Sequence, residues 1–297
     1  MHDTNSKSFQ DRTYISGDGL TLHLRDYDPG PAVTDGRLPV ICLPGLTRNS
    51  RDFHALALVL SCDPLSARRV IALDYRGRGL SDRDGNKANY NLAVEAQDAI
   101  DACAFLNIDR AAFIGTSRGG LILHLLAGMK PGLIVAAVLN DIGPVIETDG
   151  LMKIRDDLNG ARLPRDMQEA ATLLKLRHGA DFPALSNDDW AEMAAAIYRE
   201  IDGHLMPDAD PAIARQLLSI DFTKPLKDLW AHYKNFAPLP LMVVRGKNSA
   251  LLSENTLTAM AEGHPGLKIV RVPDQGHPPL LHLEPALSNI REFLSAV

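Results

Sequence analysis

A serine set between two glycines, Gly115-Thr116-Ser117-Arg118-Gly119, joins two apolar segments of different kinds. Ala111, Ala112, Phe113 and Ile114 have the length and composition of a short buried strand, and Leu121 to Ala127 reads as the start of an apolar helix. The serine therefore falls on a tight strand-to-helix corner. Such a corner strains the backbone at its centre and brings strand and helix so close that a Cβ at either glycine would collide with the neighbouring element. It lifts Ser117 clear of the strand. It also leaves the first N–H groups of the helix without intrahelical acceptors, so the Arg118 N–H can face a developing negative charge with the helix dipole behind it. This is the setting of a nucleophilic serine in a G-x-S-x-G elbow.

The rest of the chain supplies a frame for that corner. Asp11 to Ser16 and Leu20 to Tyr27 alternate apolar and polar residues around Gly17-Asp18-Gly19, the pattern of an antiparallel hairpin. Leu38 to Leu43 and Val70 to Leu73 are apolar runs of buried-strand length, with the helical pattern Asp52 to Leu60 between them. Asn91 to Leu106 is a helix with Ala93, Ala96, Ile100 and Cys103 roughly on one face, and Ile134 to Leu139 is a further strand. The alternation predicts an α/β protein built on a doubly wound, mostly parallel sheet. From about Val145 to Ala237 no strand-like run is evident, while Met167 to Leu176, Asp188 to Arg199 and Pro211 to Leu218 have helical periodicity. Strand logic returns at Leu239 to Val244 and Leu267 to Val272, with helices at Glu254 to Glu262 and Pro285 to Val297. The expected organisation is a core of residues 1–145 and 239–297, interrupted by a helical unit of residues 146–238.

Composition removes several classes of function. A net charge of -6, with Lys and Arg scattered rather than striped, gives no footprint for nucleic acid or an anionic membrane. Cys42, Cys62 and Cys103 show no ligand spacing and leave an odd thiol, which points to a reducing, cytoplasmic setting without a disulfide or zinc framework. Met1 to Arg12 is polar and lacks an apolar leader core, and no stretch has the length of a membrane span. No cofactor or metal set is implied.

A serine hydroxyl needs an imidazole to take its proton and a carboxylate to orient that imidazole. In a sheet of this kind the order along the chain is serine, acid, histidine, so the base belongs in the loop after the last strand. Gly276-His277-Pro278-Pro279 lies there, and His277 is the candidate base. Leu43-Pro44-Gly45-Leu46-Thr47 follows an earlier strand; Gly45 lets it turn inward, making the Leu46 N–H the second oxyanion donor beside that of Arg118. Asn49 or Ser50 is at the same time a ready helix cap. Asp181, Asp188, Asp189 and the run Asp208 to Asp210 read as solvated helix starts and turns.

Leu43-Pro44-Gly45, Asp74-Tyr75-Arg76-Gly77-Arg78-Gly79-Leu80-Ser81, Gly115-Thr116-Ser117-Arg118-Gly119-Gly120 and Gly276-His277, in this order and spacing, resemble the α/β-hydrolase superfamily. The resemblance covers about residues 1–145 and 239–297, and makes residues 146–238 a cap over the active site. It implies that Asp74 to Ser81 is a structural turn. One position departs from the pattern. The superfamily usually carries its acid after the strand that follows the cap, in a segment such as Arg-Gly-x-x-Ser-Asp-Leu-Leu-Ser, where this chain reads Arg245-Gly246-Lys247-Asn248-Ser249-Ala250-Leu251-Leu252-Ser253. Alanine cannot accept the Nδ1–H bond that fixes the imidazole tautomer. Some superfamily members place the acid after the strand that follows the elbow helix. Here that strand ends Leu139-Asn140-Asp141-Ile142-Gly143-Pro144, making Asp141 the candidate acid. A turn or cap aspartate before Gly-Pro is the plain alternative.

The resemblance implies a serine hydrolase that cleaves a carboxylic ester, lactone or thioester of a small, largely apolar substrate through an acyl-enzyme on Ser117. Two alternatives stand beside it. One is a carbon–carbon bond hydrolase of the meta-cleavage type, against which Pro44-Gly45-Leu46-Thr47-Arg48 lacks the Gly-rich oxyanion loop. The other is a catalytically disabled binding protein, suggested by Ala250. The expected partner is a small ester-like molecule rather than nucleic acid or membrane, and a homodimer is left open.

Overall fold

The computed structural model describes residues 8–34, 36–159 and 162–297. Its centre is an eight-stranded sheet in the order β1-β2-β4-β3-β5-β6-β9-β10. The strands are β1 (Gln10–Ile15), β2 (Thr21–Tyr27), β3 (Val40–Leu43), β4 (Val70–Leu73), β5 (Ala111–Thr116), β6 (Ile134–Asn140), β9 (Leu241–Gly246) and β10 (Lys268–Val272). β1 pairs antiparallel with β2 and β2 antiparallel with β4, whereas β4, β3, β5, β6, β9 and β10 run parallel.

The apolar runs become strands because both faces of this sheet are covered. On β5, Ala111 and Phe113 point into one core while Ala112 and Ile114 point into the other; on β9, Leu241 and Val243 divide from Met242 and Val244 in the same way. One core is closed by α3 (Leu92–Phe105), α4 (Arg118–Met129) and α10 (Glu254–Gly263), and the other by α2 (His54–Ser61) and α11 (Ala286–Ser295). A short α1 (Pro31–Thr34) lies in the loop between β2 and β3. Asn91 caps α3 by accepting from the Ala93 and Val94 N–H groups, and Asn49 caps the 3-10 turn Ser50–Phe53.

Between β6 and β9 the chain forms α5 (Thr148–Asn159), α6 (Met167–His178), α7 (Asn187–Ile197), a two-stranded hairpin of β7 (Tyr198–Ile201) and β8 (His204–Pro207), α8 (Pro211–Leu218) and α9 (Trp230–Tyr233). The helical periodicity at 188–199 overruns the real end of α7, because the hairpin begins at Tyr198. Its signal was the two-residue turn Asp202-Gly203, both at positive φ, which suits the twist of an antiparallel pair. The insertion has its own core of Ala170, Leu174, Phe182, Leu185, Trp190, Ala194 and Leu205, against which Leu280 and Leu283 pack from the segment after β10.

Asp208 and Asp210 correct the expectation of solvated turns, because both are buried. Asp208 pairs with Arg51 at 2.6 Å and Arg199 at 3.0 Å. Asp210 caps α8 through the Ala212 N–H and accepts from Lys87 Nζ at 2.6 Å and Tyr90 Oη at 2.7 Å. Burial works to raise its carboxyl, but these hydrogen bonds, that of Lys87 first, hold it at about 2. Among the described residues, no helix is long and apolar enough to cross a membrane.

The turn after β4 is set by charge. Arg76, almost fully buried, binds Asp98 through Nε and Nη2 at 2.7 and 2.6 Å, Asp84 through Nη1 at 2.6 Å and Asp18 through Nη1 at 2.8 Å. Removing the guanidinium would leave three carboxylates around one apolar site, two of them buried. Arg76→Met is expected to cost about 3–5 kcal/mol of folding stability, read from urea unfolding; a loss below about 1 kcal/mol would show that the cluster does not hold the turn.

Candidate active site

Ser117 follows β5 and precedes α4 with φ 52° and ψ −114°, outside the regions that L-residues ordinarily occupy. The glycines make that turn sterically feasible. A Cβ on Gly115 would come within 2.6 Å of the Gly119 carbonyl carbon, and one on Gly119 within 2.1 Å of the Leu43 carbonyl oxygen. The first turn of α4 thus rests directly on β3 and β5, and Ser117, half-buried, projects beyond the ends of the parallel strands.

His277 reaches Ser117 from the loop after β10. Its Nε2 is 2.9 Å from Ser117 Oγ, and its Nδ1 is 2.7 Å from Asp141 Oδ2. A carboxylate can only accept, so Nδ1 carries the proton and Nε2 presents its lone pair to the serine hydroxyl. Asp141 is fully buried, and the His277 side chain is 12% exposed. The structure therefore brings Ser117, His277 and Asp141 together in one hydrogen-bonded chain.

Asp141 can take this place because β6 lies between β5 and β9. Its backbone bends at the end of β6 with φ 55°, donating its N–H to the Val244 carbonyl at 2.7 Å, and its second oxygen accepts the Gly246 N–H at 3.0 Å. Gly246 closes β9, so the strand that might have carried the acid instead hydrogen-bonds it. Ala250 is exposed, and the Ser249 hydroxyl accepts the Leu251 N–H at 3.1 Å.

Two further contacts hold His277. Asn140 Nδ2 donates to Thr116 Oγ1 at 3.2 Å and to the Pro279 carbonyl at 3.1 Å, tying the His277 loop to the elbow strand. A Cβ on Gly276 would meet Asp181 Cβ at 2.8 Å and Phe182 Cε2 at 3.2 Å, so the segment between α6 and α7 lies against the same loop. That loop also carries His282, whose affinity for a proton is lowered by burial, against the smaller opposing effect of the Glu192 and Asp189 charges. His124, in the core, donates from Nδ1 to the Gly120 carbonyl at 2.7 Å and is pushed down to about 4 by burial.

Of the two expected oxyanion donors, Arg118 adjoins Ser117 in the chain and Leu46 follows Gly45 in a loop that approaches it. Arg118 is the first residue of α4, so its N–H has no acceptor within the helix. The loop carrying Leu46 lies against the serine, since a Cβ on Gly45 would be 3.9 Å from Ser117 Cβ. Beneath both residues sit Arg78 and Glu95, which sequence reasoning passed over. Their signal was present: Glu95 and Asp98 share the buried stripe of α3 with Ala99 and Ala102, where an unpaired carboxylate could not stay. Among the described residues, no group of three or more side chains is arranged to hold a metal ion.

Comparison with known proteins places this geometry. Residues 39–282 match the profile of the alpha/beta hydrolase fold family. The chain is 29% identical to the 3-hydroxybutyrate-oligomer hydrolase of Cupriavidus necator over 256 residues, covering 81% of this chain and 82% of that one. It is 29% identical to the 2-(acetamidomethylene)succinate hydrolase of Mesorhizobium japonicum over 260 residues, covering 87% and 85%. The crystal structure of an alpha/beta hydrolase from Novosphingobium aromaticivorans superposes with a TM-score of 0.88 at 36% identity, covering 99% of this chain and all of that one.

Because position 250 is exposed and His277 already has a carboxylate on Nδ1, a new acid at 250 has no imidazole proton to accept. Ala250→Asp is expected to change hydrolase turnover by no more than about threefold, as for other surface substitutions. A gain of a hundredfold or more would show that Asp141 is not the functional acid.

Proposed function

The chain belongs to the α/β-hydrolase fold family and is a hydrolase of that family, and from this footing we propose that it cleaves carboxylic esters through an acyl-enzyme on Ser117. The observation that carries the reading is the Ser117–His277–Asp141 chain, with links of 2.9 and 2.7 Å. Ser117 Oγ attacks the carbonyl carbon as its proton passes to His277 Nε2, and buried Asp141 stabilises the imidazolium and keeps its orientation. The carbonyl oxygen, now an oxyanion, accepts from the Leu46 and Arg118 N–H groups, with the dipole of α4 behind it. Collapse breaks the bond to the leaving alcohol, which takes the proton from Nε2. Water then attacks the acyl carbon with His277 as base, releasing the acid and restoring the serine.

The name of one relative, a hydrolase of 3-hydroxybutyrate oligomers, supports an ester as the bond broken, since a hydroxy acid oligomerises through ester links. Residues 146–238 are proposed to be a cap that shapes the substrate side of the site. The contacts of Asp181 and Phe182 with Gly276, and of Leu280 and Leu283 with the core of the insertion, favour this reading. A binding protein without turnover is disfavoured, because the carboxylate missing at 250 is replaced by Asp141 rather than lost.

A fluorophosphonate should add to the protein, with the mass shift on the peptide containing Ser117, and should not add to Ser117→Ala. Failure of the folded, unaltered protein to react would overturn the serine-hydrolase reading. Asp141→Asn should lower kcat on p-nitrophenyl butyrate by about ten-thousandfold, by leaving the imidazole in the wrong tautomer. Turnover within tenfold of the parent would assign the acid elsewhere.

A further inference from the structure

An oxyanion hole made from two backbone N–H groups is effective only when both keep their positions as charge moves onto the oxygen. Leu46 and Arg118 stand on different elements, a loop after β3 and the first turn of α4, with no covalent reason to stay in register. One buried charge cluster touches both. Arg78, whose side chain is fully buried, donates from Nε to the Leu46 carbonyl at 2.6 Å and from Nη1 to the Arg76 carbonyl at 2.9 Å. Its Nη1 is 3.1 Å from Oε1 of Glu95, which is equally buried, and Glu95 Oε2 accepts from Arg118 Nε at 2.6 Å. Arg118 Nη2 donates further to the Tyr90 carbonyl at 3.2 Å.

We propose that Arg78 and Glu95 are positioning residues for the oxyanion hole, a bridge that runs from the Leu46 carbonyl through two charged side chains to the Arg118 guanidinium. The inference deepens the hydrolase reading and rests on it. Anchoring the Leu46 carbonyl restricts the torsions on both sides of its Cα, and so the direction of its N–H. Anchoring the Arg118 side chain to α3 through Glu95 restrains the first turn of α4 in the same way. Two guanidinium groups and one carboxylate also leave one positive charge in a buried setting beside Leu46 and Arg118, and it acts with little screening on an oxyanion between them. A cluster needed only for folding could be replaced by apolar groups at no cost to chemistry.

The test compares the unaltered protein with Glu95→Gln, Arg78→Lys and Arg78→Met. It measures kcat and KM on p-nitrophenyl butyrate, thermal midpoint, and inhibition by phenylboronic acid, which adds to a serine as a tetrahedral anion. Glu95→Gln, isosteric and uncharged, should lower kcat about 10- to 100-fold, the size expected from a small misplacement of an oxyanion donor, with KM within threefold. Its inhibition constant for the boronic acid should rise by a similar factor. Arg78→Met should lose at least as much, and Arg78→Lys, which keeps the charge but not the planar fork of donors, should recover part of it. A Glu95→Gln protein that keeps the parent's kcat and boronate affinity overturns the proposal, whatever happens to its thermal midpoint. Should Arg78→Met not fold, Glu95→Gln and Arg78→Lys decide by the same criteria. Should the unaltered protein neither turn over the ester nor bind the boronic acid, the hydrolase reading itself fails and this one with it. An active parent with an indifferent Glu95→Gln removes the bridge alone.

Discussion

The close approach of Gly119 to the Leu43 carbonyl is the constraint on which the rest of the site depends. Any Cβ there would lie 2.1 Å from that oxygen, so the separation of α4 from β3 is set by the absence of a single carbon. From that separation follow the positive φ of Ser117, the projection of its hydroxyl beyond the strand ends, and the nearness of the Leu46 loop, which continues directly from β3. Strain at Ser117 is held in place by β5, which is buried along its whole length between β3 and β6. A rigid parallel sheet is therefore the device that keeps a high-energy backbone conformation from relaxing.

The acid shows how the same sheet admits more than one solution. The ends of β5, β6 and β9 are neighbours, so a carboxylate at either of the last two could face an imidazole that enters after β10. In this chain a carboxylate follows β6, and β9 holds it through the Val244 carbonyl, which accepts the Asp141 N–H, and the Gly246 N–H, which accompanies His277 in binding its side chain. A buried carboxylate with two donors is satisfied without a cation, and burial makes each of those hydrogen bonds count for more than it would in water. Among the described residues, with Asp141 already on Nδ1, the imidazole makes no hydrogen bond to the loop after β9, where Ala250 is exposed.

The sheet and its helices were legible because their signals are local. Continuous apolar runs marked β3, β4, β5 and β9, and the paired glycines marked the elbow, since each reflects burial or steric exclusion that acts on neighbouring residues. The positions of Ser117, His277 and Asp141 could also be read from the chain, because each follows a parallel strand and so lies at the same carboxyl-terminal end of the sheet. The charged interior was not legible. Asp208 and Asp210 look like surface turn residues in the sequence, yet Arg51 and Lys87 reach them from distant stretches of chain at 2.6 Å, and Arg199 reaches Asp208 only through the β7–β8 hairpin. Glu95 left a partial trace in its place on the apolar stripe of α3, but its partners Arg78 and Arg118 come from other elements, and β7–β8 escaped notice because its Asp202-Gly203 turn joins strands with little apolar alternation.

Those buried pairs also bear on how the insertion is held. Asp208 reaches Arg51, which donates as well to the Ala195 and Ala196 carbonyls, and Asn49 donates to the Ala196 carbonyl at 2.9 Å. The Gly79 N–H meets the Asp208 carbonyl and the Asp210 N–H meets the Gly77 carbonyl, so the turn after β4 grips the start of α8 through backbone. Apolar packing alone would let the insertion slide over the strand ends, because dispersion contacts are indifferent to small displacements. Hydrogen bonds to charged groups are not, and each loses its value when donor and acceptor part by an ångström. The loops gripped in this way, at 49–51 and 77–79, are those that follow β3 and β4 and flank Leu46 and Arg78. The polar seam that fixes the insertion therefore meets the network that holds Leu46 and Arg118, and both are referred to the same rigid strands.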